Sequence, residues 1–283
     1  MTTLPSGSGG TAKAGAGGYD QAQTSHLQRQ VAEGFGAVAA RYDRARPAYP
    51  ADLVDRIIAA SPGRDVLDVG CGTGIAARLF QAAGCRVLGV DPDPRMAELA
   101  RQGRTETEVA TFEDWDPGGR TFDAVIAAQA WHWVDPVAGA AKAAALLRPG
   151  GRLAVFWNAF DPPEDLRKAF AAVFRQVLPD SPSGSFWDRP AVQAYRAGCA
   201  RAAGGIRQAG AFGEPEEWLS CWERPYTRDE WLDLVVTTGG FTRYPEAIQH
   251  DLLDGLGAAV GAAGGAFTMS YTTIALTAAR AAA

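Results

Sequence analysis

The chain has 283 residues, of which 47% are hydrophobic and 21% charged, with a formal net charge of −5. This composition is typical of a globular protein that is long enough for one large domain or a domain with an insert. A slightly acidic chain without a basic block disfavours nucleic acid as a partner. The chain has no run of about 18 apolar residues, so no membrane span is predicted.

The ends of the chain and its thiols add two expectations. No basic segment precedes an apolar one at the N-terminus, so no secretory signal is predicted and a cytoplasmic enzyme is expected. The four cysteines form no C-x-x-C pair and the three histidines are scattered, so we expect reduced thiols and no metal site. Residues 1–25 carry almost no large apolar side chain, and we expect this tail to be disordered.

Helices and strands are predicted to alternate from residue 26 onwards. Apolar residues recur about once per turn in residues 26–44, which predicts a helix. Residues 42–50, the lead-in segment, contain two prolines that end this helix and favour extended backbone. The alternating strands and helices after this segment predict a doubly wound parallel sheet. The predicted strands are 65–69, 86–91, 107–110, 122–128 and 152–157, and the predicted helices are 51–60, 74–83, 94–102 and 136–147.

The alternation ends after Asn158. Residues 159–212 carry apolar side chains at helical spacing around a Pro/Ser/Gly-rich turn, and we interpret them as a helical insert. A sixth strand is predicted over residues 213–224, and a capping box over residues 227–230 opens another helix. The remaining predicted elements are helices over 231–237 and 245–260 and a final strand over 267–275.

The glycine turn after the first strand is the most informative stretch. Gly70, Gly72 and Gly74 form a G-x-G-x-G pattern, in which glycine permits a tight turn and close backbone approach to a ligand. Asp68 precedes the turn, and Asp91 ends the next strand 17 residues beyond Gly74 (91 − 74 = 17), where a carboxylate can accept both ribose hydroxyls. The dinucleotide fingerprint has its last glycine one residue later, which disfavours a dinucleotide-dependent oxidoreductase.

These motifs resemble those of a known family. Residues 66–74, 89–92 and 122–125 resemble the successive motifs of class I S-adenosylmethionine-dependent methyltransferases. The resemblance implies an α/β, Rossmann-like, doubly wound sheet of seven strands, mostly parallel, with an antiparallel last strand beside strand five. It also implies S-adenosyl-L-methionine as the cofactor.

Two further segments are similar to one subgroup. The lead-in segment and residues 130–135 resemble trans-aconitate-methyltransferase-like (methyltransferase type 11) enzymes. The resemblance implies one methyltransferase domain over residues 26–283, in which residues 159–212 cap the substrate.

The resemblance also implies roles for the glycine turn and the second strand. Gly70 and Gly72 would pass under the methionine part of the cofactor. Asp68 would organise the loop or reach the amino group. Asp91, with Pro92 after it, would hold the ribose.

The other cofactor contacts implied by the resemblance come from three segments. Thr111 and Phe112, after strand three, would border the adenine, although the family often has Asp where this chain has Thr111. Gln129, at the end of strand four, would place a backbone carbonyl near the ammonium group. Tyr42 and Arg46 would close over the pocket; the alternative is that the lead-in segment only packs against the sheet.

His132 is the candidate catalytic residue. It follows a central strand at the edge where open α/β sheets bind ligands. It could orient a substrate or accept its proton. The alternative is that His132, between Trp131 and Trp133, only shapes the pocket.

The sequence therefore predicts transfer of a methyl group to a small molecule. A sulfonium methyl is already activated, and holding a nucleophile in line can supply about 7–11 kcal/mol, so a general base is optional. A carboxylate oxygen is the favoured acceptor, and a carbon or nitrogen centre of a specialised metabolite is the alternative. The competing classes are a dinucleotide-dependent oxidoreductase and a non-catalytic cofactor-binding protein.

Overall fold

A computed structural model describes residues 39–179 and 181–281. The predicted tail and most of the predicted helix over 26–44 lie outside these residues. The strands of the described chain are β1 (Asp65–Val69), β2 (Arg86–Asp91), β3 (Glu106–Val109), β4 (Phe122–Ala128), β5 (Leu147–Asp161), β6 (Glu216–Thr227) and β7 (Ala266–Ala279). Its α-helices are α1 (Ala39–Ala45), α2 (Ala51–Ala59), α3 (Ile75–Ala82), α4 (Pro94–Gln102), α5 (Pro136–Leu146), α6 (Glu164–Val177), α7 (Ala191–Ala209), α8 (Arg228–Val236) and α9 (Glu246–Ala262).

The strands form one sheet in the order β3-β2-β1-β4-β5-β7-β6. Neighbouring strands from β3 to β5 are parallel, and β7 is antiparallel to both β5 and β6. The predicted fold class, with an antiparallel last strand beside strand five, is confirmed. Because the order reverses between β1 and β4, the carboxyl ends of these two strands flank a crevice, the position where open α/β sheets bind ligands.

Helices cover both faces of the sheet. Alternate residues of the central strands point to opposite faces, so Val66 and Ile126 lie in one buried cluster and Leu67 and Val125 in another. The first cluster is completed by α2 and α3, and the second by α5 and α7. This double cover explains why the central strands are mostly apolar.

A third buried cluster lies beyond the carboxyl end of β5. It is built on the C-terminal end of β6, at Tyr226, and the N-terminal end of β7, at Phe267. It also contains side chains of α6, α8 and α9. Phe170 of α6 stacks on Trp231 of α8, with ring centroids 5.2 Å apart. We call α6, α8 and α9 with this cluster the cap.

The predicted insert over residues 159–212 is divided between three parts of the fold. Residues 159–161 continue β5, because the strand pairs with β7 as far as Asp161 opposite Ser270. Helix α6 belongs to the cap, whereas α7 lies on the sheet beside α5. Gly205 allows this close approach, since a Cβ there would lie 2.2 Å from the carbonyl oxygen of Pro136.

Some element boundaries differ from the predicted ones. Strand β6 runs to Thr227, and α8 begins at the next residue, because the Thr227 hydroxyl and the Glu230 carboxylate form both bonds of the capping box. The ring of Tyr226 contacts Trp231 across this turn, with centroids 6.3 Å apart. No helix within the described ranges combines the length and apolar character that crossing a bilayer requires.

Candidate functional site

The glycine turn connects β1 to α3 at the carboxyl edge of the sheet. Gly70, Gly72 and Gly74 have φ angles of 65°, 56° and 85°, all in the left-handed region that favours glycine. The N–H of Gly70 donates to the carbonyl oxygen of Val90 at 2.8 Å, which holds the turn against β2. A Cβ at Gly70 would lie 2.5 Å from the Cβ of Ala130, so the turn also packs against the loop that follows β4.

Asp91 joins the glycine turn to the end of β2. Its Oδ2 accepts the N–H of Gly72 at 2.8 Å, and its Oδ1 accepts the N–H of Asp93 at 2.9 Å. Each oxygen retains a second lone pair, so the carboxylate can still accept hydroxyl donors from a ribose. Burial raises the pKa of Asp91 to about 6, and the two backbone donors partly oppose this effect. Pro92, the next residue, is exposed.

Asp68 is buried in β1 behind the turn. Neither carboxyl oxygen has a hydrogen-bond partner of normal geometry among the described residues. Burial, together with the nearby charge of Asp91, raises the pKa of Asp68 to about 8, and the N–H of Ala77 in the first turn of α3 opposes it weakly. A buried carboxylate without a partner is costly, and a cationic group such as an ammonium would satisfy it. The residues of the turn therefore fit a nucleoside cofactor with a positively charged amino-acid end.

The predicted adenine contacts follow β3. The hydroxyl of Thr111 donates to Asp114 Oδ2 at 2.7 Å and closes a local turn. Phe112 is buried against Trp131, with ring centroids 6.2 Å apart. The carbonyl oxygen of the next residue, Glu113, accepts from the Nζ of Lys142 at 3.0 Å. The structure thus places both residues at the predicted edge, with the side chain of Phe112 in the core. Their contact with adenine stays a prediction.

Gln129 has an unusual backbone at the end of β4. Its φ of 57° is uncommon for a residue other than glycine. Its N–H donates to the carbonyl oxygen of Phe156 at 2.8 Å, and its side-chain amide donates to the carbonyl oxygen of Asn158 at 3.4 Å. Strained residues cluster at functional sites, and this one lies beside the glycine turn.

The lead-in segment connects the sheet to the cap. The guanidinium of Arg46 lies 4.7 Å from the ring centroid of Tyr42 and donates to the carbonyl oxygen of Thr237, just after α8. Tyr49 packs edge-on against Phe156 of β5, with centroids 4.9 Å apart. The segment packs against the sheet, and it also brings Arg46 close enough to His132 for its charge to act on that imidazole.

His132 lies in a short 3-10 turn, Trp131–Trp133, after β4. Its Nδ1 accepts the indole N–H of Trp157 at 3.3 Å. Burial, together with the positive charges of Arg201 and Arg46, lowers its pKa to about 4. Since an indole nitrogen can only donate, the neutral ring carries its proton on Nε2. His132 is therefore arranged to donate a hydrogen bond, and of the two predicted roles proton acceptance is disfavoured.

Sequence reasoning did not find Arg201 or Asn158. The Nη2 of Arg201 donates to the carbonyl oxygen of His132 at 3.3 Å, so a helix 69 residues further along the chain reaches the site. Asn158 is 2% exposed and is the one polar residue between Leu153 and Phe160 of β5. That isolated polar residue in a buried strand was the available signal. Within the described ranges no cluster of three or more His, Cys, Asp or Glu side chains could hold a metal ion.

The sheet order, the glycine turn and the two acids at the ends of β1 and β2 define a class I methyltransferase fold that binds S-adenosyl-L-methionine. The chain belongs to the family described as "Methyltransferase domain", whose model matches residues 42–188, more than half of the chain. The trans-aconitate-like subgroup stays a prediction.

Relatives of this chain support the family. An uncharacterized methyltransferase of Mycobacterium tuberculosis is 39% identical over 136 residues, which cover 47% of this chain and 56% of that protein. Malonyl-[acyl-carrier protein] O-methyltransferase of Enterobacter lignolyticus is 35% identical over 149 residues, which cover 48% and 59%. The chain thus spans little more than half the length of these curated relatives.

A solved structure shares the fold. A protein from Anaeromyxobacter dehalogenans, assigned as a type II methyltransferase, superposes with a TM-score of 0.61. The two are 24% identical, and the alignment covers 84% of this chain and 99% of that one.

Proposed function

We propose that this protein transfers the methyl group of S-adenosyl-L-methionine to a carboxylate oxygen of a small molecule. The observation that carries the proposal is the positive charge around His132. Both Arg46 and Arg201 lie close enough to lower the pKa of that imidazole, and burial keeps it neutral. The negative charge of Asp135 acts on Arg201 and favours the charged form of its guanidinium. A desolvated guanidinium is a favourable partner for a carboxylate.

The cofactor half of the proposal rests on the glycine turn. Asp68 would accept from the ammonium end, Gly70 and Gly72 would allow the close backbone approach, and Asp91 would accept the ribose hydroxyls. When bound, the cofactor supplies a methyl group on a sulfonium. Asp91→Ala is expected to weaken binding of S-adenosylhomocysteine by about 1.5–3 kcal/mol in titration calorimetry, the range for hydrogen bonds to charged groups. An unchanged dissociation constant would contradict the ribose role.

The acceptor half rests on His132 and Arg201. A carboxylate is already a nucleophile at neutral pH and needs no general base, whereas a phenol or a carbon acid must first lose a proton. His132 cannot take that proton while its Nδ1 accepts from Trp157. We therefore give His132 the role of orienting the acceptor through Nε2–H, beside the guanidinium of Arg201. The cap would exclude water, with α6 as the covering part of residues 159–212 within one methyltransferase domain (residues 26–283).

The relative from Enterobacter lignolyticus supports the same acceptor atom, because its name states O-methylation. The alternative of C-methylation requires a proton acceptor for the carbon acid, a role that His132 cannot fill while its Nδ1 accepts from Trp157.

The test uses the purified protein and methyl-labelled cofactor with a panel of small carboxylic acids, phenols, amines and carbon acids. A methyl ester releases its label as methanol in mild alkali, whereas methyl ethers, N-methyl and C-methyl products keep it. The proposal expects alkali-labile label from the carboxylic acids. Alkali-stable label would contradict the carboxylate acceptor. Binding of NAD instead of S-adenosylhomocysteine would favour the oxidoreductase, and tight cofactor binding without any product would favour the non-catalytic alternative.

Two arginines of α7 provide a matched comparison. Arg201→Gln is expected to lower kcat/KM for the acceptor at least tenfold, without changing the dissociation constant of S-adenosylhomocysteine. Arg196 is exposed and faces Glu217 of β6 at 3.5 Å, so Arg196→Gln should leave both quantities unchanged. Equal effects of the two variants would count against a specific role for Arg201.

A further inference from the structure

A chain of hydrogen-bonded side chains runs from the edge strand of the sheet to the lead-in segment. The indole N–H of Trp222 donates to Thr273 Oγ1 at 2.9 Å. Thr273 Oγ1 donates to Asn158 Oδ1 at 2.6 Å, and Asn158 Nδ2 donates to the carbonyl oxygen of Ala48 at 3.1 Å. These residues come from β6, β7, β5 and the lead-in segment, and we call the three side chains the relay.

The two ends of the relay set the direction of its bonds. The carbonyl oxygen of Ala48 can only accept, so Asn158 turns its amide Nδ2 towards Ala48 and its Oδ1 towards Thr273. The Thr273 hydroxyl then donates to Asn158 Oδ1 and accepts the indole N–H of Trp222, which can only donate. Reversing the amide would place an oxygen against that carbonyl, so the relay holds Asn158 in one orientation.

Because of burial, the hydrogen bonds at the centre of the relay cannot be replaced by bonds to water. Thr273 is 0% exposed and Asn158 2% exposed, so water cannot replace a lost partner at the centre of the chain. A buried polar atom without a partner costs about 1–3 kcal/mol. Trp222 is further held by stacking on Tyr271, with ring centroids 4.3 Å apart.

The far end of the relay reaches two parts of the cofactor side. Ala48 lies two residues after Arg46 and one before Tyr49, and the backbone carbonyl of Asn158 accepts from the side chain of Gln129 at 3.4 Å. One asparagine thus contacts both the lead-in segment and the strained residue after β4.

We propose that Asn158 and Thr273 are positioning residues that hold the lead-in segment in register over the cofactor pocket, with Trp222 donating to Thr273 at the outer end of the relay. This inference rests on the cofactor role that the proposed function gives to the lead-in segment. The relay acts through Ala48 and touches neither cofactor nor acceptor.

The decisive comparison is between two substitutions of Thr273. Thr273→Val keeps the shape and β-branching of the side chain but removes the hydroxyl, so the strand should still form. Thr273→Ser keeps the hydroxyl and loses only a methyl group. Thr277→Val is the control, because Thr277 lies on the same face of β7, is also 0% exposed, and accepts from Arg152 near the opposite end of β5.

Two measurements on the full chain need no methyl acceptor. Hydrogen exchange of the amides of Arg46, Ala48 and Tyr49 is expected to become at least tenfold faster in Thr273→Val, with β1 and β4 unchanged. Calorimetry with S-adenosylhomocysteine should show a dissociation constant about tenfold higher in Thr273→Val, the loss of one hydrogen bond at 1.4 kcal/mol per factor of ten. Thr273→Ser should restore both values, and Thr277→Val should resemble the wild type.

Unchanged exchange in the lead-in segment of Thr273→Val would overturn the inference, as would faster exchange spread equally over the whole sheet or an equal effect of Thr277→Val. Arg46→Ala tests the underlying assumption separately. If it binds S-adenosylhomocysteine as the wild type does, the cofactor role of the lead-in segment fails, whatever the exchange of Thr273→Val shows.

Discussion

At the scale of single residues, burial decides what each ionisable group at the site can do. The pKa of His132 is lowered to about 4, whereas that of Asp68 is raised to about 8, and in both cases burial is the largest cause. Burial therefore favours the neutral form of both groups at neutral pH. His132 becomes a neutral donor, and Asp68 becomes a carboxyl group that gains from a cationic ligand.

The donor role of His132 separates two substitutions. His132→Phe keeps a flat ring against Trp133 but removes the Nε2–H, and should lower kcat/KM for the acceptor by about tenfold to a hundredfold, the value of a hydrogen bond to a charged group. His132→Gln, which can still donate, should retain more activity. Cofactor affinity should stay unchanged in both.

The pH profile gives an independent check on His132. Because its pKa lies near 4, kcat/KM of the wild type should show no titration of this group between about pH 5.5 and 7. If His132→Phe turns over the acceptor at the wild-type rate, His132 only shapes the pocket by packing. An inflection near pH 6.5 that disappears in His132→Gln would mean that the imidazole titrates during catalysis.

At the scale of elements, the packing of α7 on α5 depends on one glycine and not on its neighbour. A Cβ at Gly205 would overlap a backbone carbonyl, whereas nothing lies within 4 Å of a Cβ at Gly204. Gly205→Ala should therefore lower the free energy of unfolding by about 1–3 kcal/mol despite the better helix propensity of alanine. Gly204→Ala should raise it by about 0.5–1 kcal/mol. Urea denaturation of the two variants measures the difference, and stabilisation by both would show that α7 can move away from α5.

Helix α7 also shows what the sequence could not predict, namely the surface that a helix covers. The positions of β1 to β5 along the chain were predictable because apolar runs, glycine turns and proline helix starts are local signals. The segment of α7 has the helical spacing that was recognised, but spacing does not say which surface a helix covers. Its place on the sheet depends on the fit of Gly205 against Pro136, which lies 69 residues away in sequence.

At the scale of the whole molecule, Asp68 couples the site to the stability of the fold. The pKa of this carboxyl is about 8 in the folded protein and about 3.9 in an unfolded chain, so between these values the folded state binds more protons. The free energy of unfolding without cofactor should therefore fall as the pH rises from about 4 to about 8, by roughly 1.4 kcal/mol for each unit of pKa shift at most.

Asp68→Asn tests this coupling, because the amide has no charge to bury. The variant should gain stability relative to the wild type as the pH rises from 5.5 to 8, measured as the difference between urea midpoints. Asp91, whose charge acts on Asp68, contributes its own dependence below about pH 6, so the difference is read mainly between pH 6 and 8. A midpoint difference that is the same at both pH values would show that Asp68 titrates normally.

The site was predictable where it lies in one stretch and unpredictable where it is assembled from distant ones. Asp68, the glycines and Asp91 fall within 24 residues, and their pattern is a motif (91 − 68 + 1 = 24). Thr273 and Asn158 are 115 residues apart, and their contact exists only because β7 pairs with β5. No local pattern marks a hydroxyl that becomes buried opposite an amide in another strand.

The position of β7 between β5 and β6 has a consequence for protein synthesis. Every other strand is made before β7, so a nascent chain ending before residue 266 has both β5 and β6 without their shared neighbour. Two open strand edges are sites for pairing with other chains. A chain that stalls ahead of residues 266–279 would therefore expose the unpaired edges of β5 and β6 to other chains.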